Sequence, residues 1–233
     1  MTPEEFEEFL RSNSEEKFKG FTERILNTPL DVVGVRVPVL RKAAKEISKG
    51  DWRDFLTWET RSYEQCFVKG IVIASAKMCQ EERLELSDRF LPEITDWSVC
   101  DSFCGSWKVE RGKEDALWDW SADLLDTGEE FRMRVGAVMM MDHFIDDAHI
   151  GRMLDLLTAE RRSPGYYWDM GCAWALSFCF IRYPEETEEA MFRGALSTEI
   201  LRMTVNKVRD SYRVPDDRKK ALREHLNRFT GRF

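Results

Sequence analysis

The chain has 233 residues, of which 43% are hydrophobic and 33% charged, and its formal net charge is −8. This composition is typical of a folded globular protein, and no apolar run approaches the roughly 18 residues that a membrane span needs. The acidic balance argues mildly against a nucleic acid as the partner. The acidic opening residues lack the basic flank and apolar core of a signal peptide, so we expect a cytoplasmic protein.

The chain reads as a succession of amphipathic helices separated by short polar connectors. Pro38 suits a first helical turn, Gly50 suits a helix end, and Asp51 suits an N-cap. Residues 62–78 are apolar on most sides, which predicts a central helix. The predicted helices cover residues 4–12, 14–26, 37–50, 51–59, 62–78, 80–90, 113–125, 129–145, 147–160, 164–183, 184–196, 197–214 and 215–229, with a further helix through the motif at 95–103.

This all-helical pattern predicts an all-α protein. No linker is evident, so we expect one domain over residues 1–233, with acidic helices at 1–30 and a repeat region at 31–233. The helices form pairs of about 30–45 residues, which is the length of a solenoid repeat. Because exact sequence repetition is absent, a compact helical bundle is the alternative architecture.

Cysteine and histidine spacing argues against a metal site. The six cysteines form no CxxC pair, and the three histidines have no ligand spacing with them. We therefore expect mostly buried free thiols and no zinc. The Asp and His residues at 142–149 have the spacing of a helix end and a loop, which disfavours a metal-dependent nuclease.

The stretch TDWSVCDSF at residues 95–103 contains the most informative pair. On a helix, Trp97 and Asp101 lie one turn apart on the same face. An acid beside an indole on a mostly buried helix either has a structural partner or faces a cleft and performs chemistry. Arg134 and Trp174 are similarly unusual on apolar helices. The alternative role of Arg134 is an ion pair with an acid, and that of Trp174 is packing in the core.

Two basic neighbourhoods interrupt the acidic chain, at residues 32–53 and 202–233. Phosphate contacts and ordinary solvated helix faces are the two interpretations. The candidate phosphate-binding residues are Arg36, Arg41, Lys42, Lys45, Lys207, Arg209, Arg213, Lys219 and Lys220.

Five segments together resemble the DNA alkylation repair glycosylase family, the AlkD-like HEAT-repeat enzymes. GVRVPVLRKAAKEI is similar to the family's Gly-Val-Arg-x-Pro turn, and ITDWSVCDSF to its Trp-and-Asp motif. FRMRVGAVMM resembles the helix that places an arginine in the cleft, and YYWDMGCAWALS the helix with a second cleft tryptophan. MTVNKVRDSYRVPDDRKKAL resembles the closing basic element. The resemblance spans roughly residues 30–225.

The resemblance implies a right-handed α-α superhelix of HEAT-like repeats with a concave DNA-binding cleft. It also implies excision of N3- or N7-alkylated purines from double-stranded DNA by a monomer that needs no metal or organic cofactor. By carry-over, Asp101 is the catalytic carboxylate, Trp97 and Trp174 are the aromatic walls, and Arg134 holds the DNA backbone. Ser98 departs from the family pattern, in which an acid often follows the tryptophan.

Two alternatives remain at this point. The first is a non-catalytic relative that binds branched or distorted DNA, although such a protein need not keep Trp97, Asp101 and Trp174 together. The second is a helical-repeat scaffold for another protein, which the net charge of −8 favours.

Overall fold

The structure, a computed structural model, describes residues 2–231. Within this range the regular structure is fourteen α-helices and one 3-10 helix at Leu91–Glu93, with no β-strand, which confirms the all-α prediction. Each predicted helix is present. In chain order the α-helices are α1 (Pro3–Ser12), α2 (Glu16–Ile25), α3 (Val37–Ile47), α4 (Trp52–Thr57), α5 (Tyr63–Ser75), α6 (Gln80–Phe90), α7 (Trp97–Gly105), α8 (Glu114–Leu124), α9 (Glu130–His143), α10 (Ile150–Thr158), α11 (Tyr166–Arg182), α12 (Pro184–Phe192), α13 (Thr198–Asp210) and α14 (Asp216–Phe229).

The helix ends follow local chemistry. Pro38 lies in the first turn of α3, where its missing N–H costs nothing. The helix ends at Ile47 with Ser48 as its C-cap, before the predicted Gly50. Asp51 caps α4 as predicted and accepts a hydrogen bond from the backbone N–H of Asp54 at 3.4 Å.

The chain divides into two compact units, one up to Leu117 and one from Trp118 onward. In the N-terminal unit, α5 is the central element, because all its residues except Ser75 are buried. Helices α3 and α7 pack on α5, as do α4 and α6. The central position predicted for residues 62–78 is therefore confirmed for this unit.

The C-terminal unit has two rows of helices. Helix α11 packs against α9 and α13, while α10 and α12 contact each other and α11, and α14 packs on α13. Packing between every second helix is consistent with a helical-repeat superhelix. The concave cleft and the single-domain organisation stay predictions.

The Gly-Val-Arg-x-Pro turn has a structural role in the N-terminal unit. The buried carboxylate of Glu64 on α5 accepts hydrogen bonds from the backbone N–H groups of Val33, Gly34 and Val35 at 2.7–3.2 Å. Gly34 has a φ of 98°, and a Cβ there would lie 2.7 Å from Cβ of Lys19. This position therefore requires glycine both for its backbone angle and for the close approach of α2.

Most of the thiols are buried, as expected. All six cysteines are free, and only Cys79 is exposed. Burial raises the pKa of the Cys66 and Cys172 thiols well above their usual range, so these side chains are packing groups. Over residues 2–231 no helix is long and apolar enough to cross a membrane.

Candidate functional site

Helix α7 begins at a buried acidic cap. The Oδ1 atom of Asp96 accepts hydrogen bonds from the backbone N–H groups of Ser98 and Val99, at 2.9 and 3.0 Å. These two bonds satisfy donors that a helix start otherwise leaves unpaired. The cap fixes where α7 starts and therefore which way its first turns face.

Trp97 and Asp101 share the partly exposed face of α7. Both side chains are of intermediate exposure, whereas Val99, Cys100 and Phe103 on the other faces are buried. The Nε1–H of Trp97 donates to the carbonyl oxygen at the end of α2, 3.3 Å away, which fixes the orientation of the indole. The four-residue spacing thus places an oriented indole and a carboxyl group next to each other at the surface.

A second carboxyl group lies at the N-cap of α7. Asp96 is completely buried, and its Oδ2 atom has no hydrogen-bond partner among the described residues. The pKa of Asp96 is raised to about 6, with burial as the largest cause; the N–H bonds from Val99 and Ser98 lower this pKa and the nearby charge of Asp101 raises it. The start of α7 therefore carries a buried acid at its cap and a partly exposed acid, Asp101, within the helix.

Arg134 lies inside the C-terminal unit and is only 4% exposed. Its Nη1 donates to the carbonyl oxygen of Tyr167 on α11 at 2.8 Å. A Cβ at Gly171 would lie 3.0 Å from its Cγ, so glycine makes room for the arginine. Because Arg134 is buried, it is better placed to connect α9 to α11 than to contact a phosphate in solvent. Its role toward DNA stays a prediction.

Trp174 lies one turn beyond Gly171 on α11 and is partly exposed. The ammonium group of Lys207 lies 5.8 Å from the centroid of its ring, within cation–π distance. Phe178 stands nearly perpendicular to the indole, with ring centroids 6.1 Å apart. Trp174 is therefore an aromatic surface within a polar and cationic environment, not a core side chain.

The predicted basic residues of the N-terminal unit differ in whether their side chains already bind another residue of the chain. Arg36 precedes α3 and forms a bidentate ion pair with Glu15, at 2.6 and 2.8 Å. Arg41 donates to the Ser106 hydroxyl at 3.1 Å. Lys42 and Lys45 are exposed on α3. Within residues 2–231 the two lysines form no hydrogen bond or ion pair, unlike the two arginines.

The predicted basic residues of the C-terminal unit divide between two grooves. One groove, of about 350 Å³, lies between α13 and α14 and includes Arg209, Lys219 and Lys220. The other, of about 430 Å³, lies between α11 and the end of α13 and includes Lys207 and Arg213 together with Trp174. Neighbouring residues on α13 thus face different grooves, as helical geometry requires.

Sequence reasoning missed two candidate residues, Arg202 and Arg223, which line the groove between α13 and α14. Arg202 is seven residues before Arg209, and Arg223 is four residues after Lys219, so helical spacing alone could have found both. Neither arginine forms a hydrogen bond or an ion pair within residues 2–231.

The structure brings the site residues together in pairs. Trp97 and Asp101 share one face of α7 in the N-terminal unit, and Arg134 packs one turn from Trp174 in the C-terminal unit. The convergence of these residues on one cleft stays a prediction. Over residues 2–231 no group of three or more His, Cys, Asp or Glu side chains is placed to hold a metal ion.

Comparison with known proteins gives one result. A family model described as DNA alkylation repair enzyme matches residues 6–211, which include α7, the helices of Arg134 and Trp174, and α13. No curated protein and no solved structure gives a significant match.

Proposed function

Since the chain belongs to the DNA alkylation repair enzyme family, we propose that it is a DNA glycosylase that excises N3- or N7-alkylated purines from duplex DNA. Family membership itself gives an enzyme role in alkylation repair, with DNA as the partner. The proposal adds the reaction, the substrate class and the residues that act.

The reaction is hydrolysis of the N-glycosidic bond. Alkylation at N3 or N7 makes the purine cationic, so the base leaves with the electron pair of the bond and becomes neutral. Positive charge then develops on the deoxyribose, and a fixed carboxylate stabilises that charge most where water is partly excluded. Water attacks the C1′ atom, and its proton passes to Asp101 or to solvent.

The observation that carries the proposal is the pairing of Trp97 and Asp101 on one partly exposed face of α7. The indole is oriented by its bond to the end of α2, and the carboxyl group lies on the next turn. An aromatic face stabilises an adjacent cation by about 0.5–2 kcal/mol. The pair can therefore act on the same developing charge without a metal ion.

The resemblance assigns two further roles to residues of the C-terminal unit. Trp174 is the second aromatic wall, and its partial exposure supports that role. Arg134 orients the DNA backbone near the lesion in the proposal, although its burial limits how much of the guanidinium can reach a phosphate.

The experiment is an excision assay on duplex DNA that carries a single 7-methylguanine, with abasic sites scored by alkaline cleavage. Wild type is compared with Asp101→Asn and with Asp115→Asn, which removes an exposed carboxylate on α8. We expect excision by wild type and by Asp115→Asn, and a loss of at least about a hundredfold in Asp101→Asn.

Other outcomes would reject the proposal in distinguishable ways. Equal activity in Asp101→Asn would reject the assigned carboxylate. Salt-sensitive binding of the duplex without excision would indicate a non-catalytic DNA-binding relative. Absence of both binding and excision would favour a scaffold for another protein.

A further inference from the structure

Asp96 at the start of α7 has a charge that its role as a helix cap does not require. Serine, asparagine and aspartate cap helices about equally well, so the two N–H bonds to its Oδ1 atom explain a polar residue at this position but not an acid. The side chain is completely buried, and its Oδ2 atom has no hydrogen-bond partner among the described residues. A neutral cap would avoid the free-energy cost of burying this charge.

The carboxyl group of Asp96 lies where a helix would otherwise oppose a bound cation. Helix α7 begins at Trp97, and the N-terminus of a helix carries a partial positive charge of about half a unit. Trp97 is in the first turn of α7 and Asp101 in the second. A sugar cation at these two side chains is therefore repelled by the end of their own helix. An ionised Asp96 offsets this repulsion, because it places a full negative charge at the same end.

Contacts with other helices fix the position of this charge. The backbone N–H of Ser98 donates to Asp96, and a hydrogen bond of 2.8 Å joins the Ser98 hydroxyl to the hydroxyl of Tyr63 on α5. Tyr63 belongs to the central helix of the N-terminal unit and is only 3% exposed. The indole of Trp97 is held by its bond to the end of α2. The buried acid and the indole are thus parts of one ordered turn.

Titratable groups on α5 and α7 interact electrostatically with Asp96. They include Tyr63 and Cys66 on α5 and Asp101 on α7. Burial raises the pKa of both Tyr63 and Cys66 well above their usual ranges, so neither is charged between pH 5 and 8. None of these three groups is a cation that could balance an ionised Asp96.

Two further acids interact with these groups of α5, and both have partners of their own. Glu64 influences Tyr63 and accepts three backbone N–H bonds, and Glu93 influences Cys66 and pairs with Lys69 at 3.1 Å. Asp96 itself forms no ion pair within residues 2–231. Its pKa of about 6 leaves it ionised at pH 7.5 and largely protonated at pH 5.

We propose that Asp96 is a positioning residue of the candidate site, whose negative charge strengthens the binding of a positively charged sugar at Trp97 and Asp101. The buried carboxylate does not touch the DNA and acts through the electrostatic field at the start of α7. This inference rests on the proposed function for its cation, the sugar of the damaged nucleotide. It gives a reason for keeping a charge that costs free energy of folding, since stability is commonly lost where activity requires it.

The test uses two DNA duplexes, each with one nucleotide replaced by an analogue that has no base to release. In one duplex the sugar is a pyrrolidine, whose protonated ring nitrogen mimics the sugar cation, and in the other it is a neutral tetrahydrofuran. The preference is the ratio of the two dissociation constants, so contacts with the DNA backbone cancel. We expect wild type to prefer the charged analogue, and this preference to fall by about three- to tenfold from pH 7.5 to pH 5 as Asp96 takes up a proton.

Three variants separate the charge of Asp96 from its role as a cap. Asp96→Asn keeps the cap without the charge, so its preference at pH 7.5 should be as low as that of wild type at pH 5 and should not change with pH. Asp101→Asn should lower the preference at both pH values and keep its pH dependence. Asp51→Asn, which changes the exposed N-cap of α4, should match wild type. A purely structural cap would give Asp96→Asn the same preference as wild type.

An equal affinity of wild type for the two analogues, or a preference in Asp96→Asn equal to that of wild type at pH 7.5, would overturn the inference. Failure of the proposed function gives a different pattern. Excision of 7-methylguanine without an Asp96-dependent preference would remove the role of Asp96 alone. An Asp96-dependent preference without excision would remove the glycosylase and leave a cation-binding face on α7.

Discussion

Asp96 and Asp101 show how one turn of helix creates two different acids. Asp96 is buried at the N-cap, and one of its oxygens has no hydrogen-bond partner among the described residues, whereas Asp101 is partly exposed one turn from Trp97. The four-residue spacing of Trp97 and Asp101 could be read from the sequence, since it follows from helix geometry alone. The burial of Asp96 could not, because it depends on the elements packed around the start of α7.

The raised pKa of Asp96 predicts a pH dependence of stability. Burial moves this pKa from 3.8 to about 6, so the folded state holds the proton more tightly than the unfolded chain. The free energy of unfolding therefore falls as pH rises between about 4 and 6, by at most about 3 kcal/mol. The Asp96→Asn variant has no carboxyl group to ionise at this position and does not lose this free energy. The free energy of unfolding of the variant minus that of wild type should therefore be larger at pH 7.5 than at pH 4.5. Urea unfolding at the two pH values measures the difference.

Asp115→Asn is the control for this prediction, because Asp115 is exposed. Its stability relative to wild type should not change between the two pH values. If Asp96→Asn also shows no change with pH, Asp96 does not titrate in the folded protein as described.

At the scale of the helices, the sequence carried most of the information. Hydrophobic periodicity, prolines and caps predicted each helix, because those signals are local. The contacts between helices could not be predicted in the same way. Gly136 and Gly151 are both helical glycines, yet a Cβ at Gly136 would lie 2.5 Å from the carbonyl oxygen of Ser121, while nothing lies within 4 Å at Gly151.

These two glycines give opposite predictions for the same substitution. Gly136→Ala forces α8 and α9 apart and should destabilise the protein by roughly 1–3 kcal/mol. Gly151→Ala restores helix propensity at an open position and should stabilise it by about 0.5–1 kcal/mol. Thermal unfolding of both variants measures the signs. Equal effects at the two sites would contradict the close packing of α8 on α9.

In the candidate site too, local features could be predicted from the sequence and contacts between elements could not. Local spacing identified Trp97, Asp101 and the basic helices. Local spacing did not show that Arg36 forms an ion pair with Glu15, or that Arg134 is buried against α11. Glu15 and α11 are distant in sequence from the arginines that they contact. Arg202 and Arg223 could have been predicted from the sequence, since their helical spacing places them in the same groove as Lys219 and Lys220.

For the whole molecule, a net charge of −8 coexists with two basic segments, at residues 32–53 and 202–233. Several predicted phosphate-binding cations already have partners, such as Arg36 with Glu15 and Arg209 with Asp210. Lys42 and Lys45 are exposed on α3. The charge that matters for DNA is therefore the unpaired local charge, not the sum over the chain.

This distribution predicts the salt dependence of DNA binding. Each phosphate contact contributes about 0.9 to the slope of log affinity against log salt concentration. A Lys42→Ala/Lys45→Ala variant should reduce the slope by about two, whereas Arg36→Ala should reduce it by less than one, because Arg36 must first leave Glu15. Titrations at several salt concentrations measure the slopes. An unchanged slope in the double variant would exclude Lys42 and Lys45 from the DNA interface.

The most direct test of the central claim is a single-turnover measurement of base release from 7-methylguanine duplex DNA, with enzyme saturating. Under this condition binding is complete and the rate reports only bond cleavage. The account predicts that Asp101→Asn lowers this rate by at least about a hundredfold while the affinity for the duplex stays within a few-fold of wild type. A rate in Asp101→Asn equal to that of wild type would contradict the assignment of Asp101 as the group that stabilises the sugar cation.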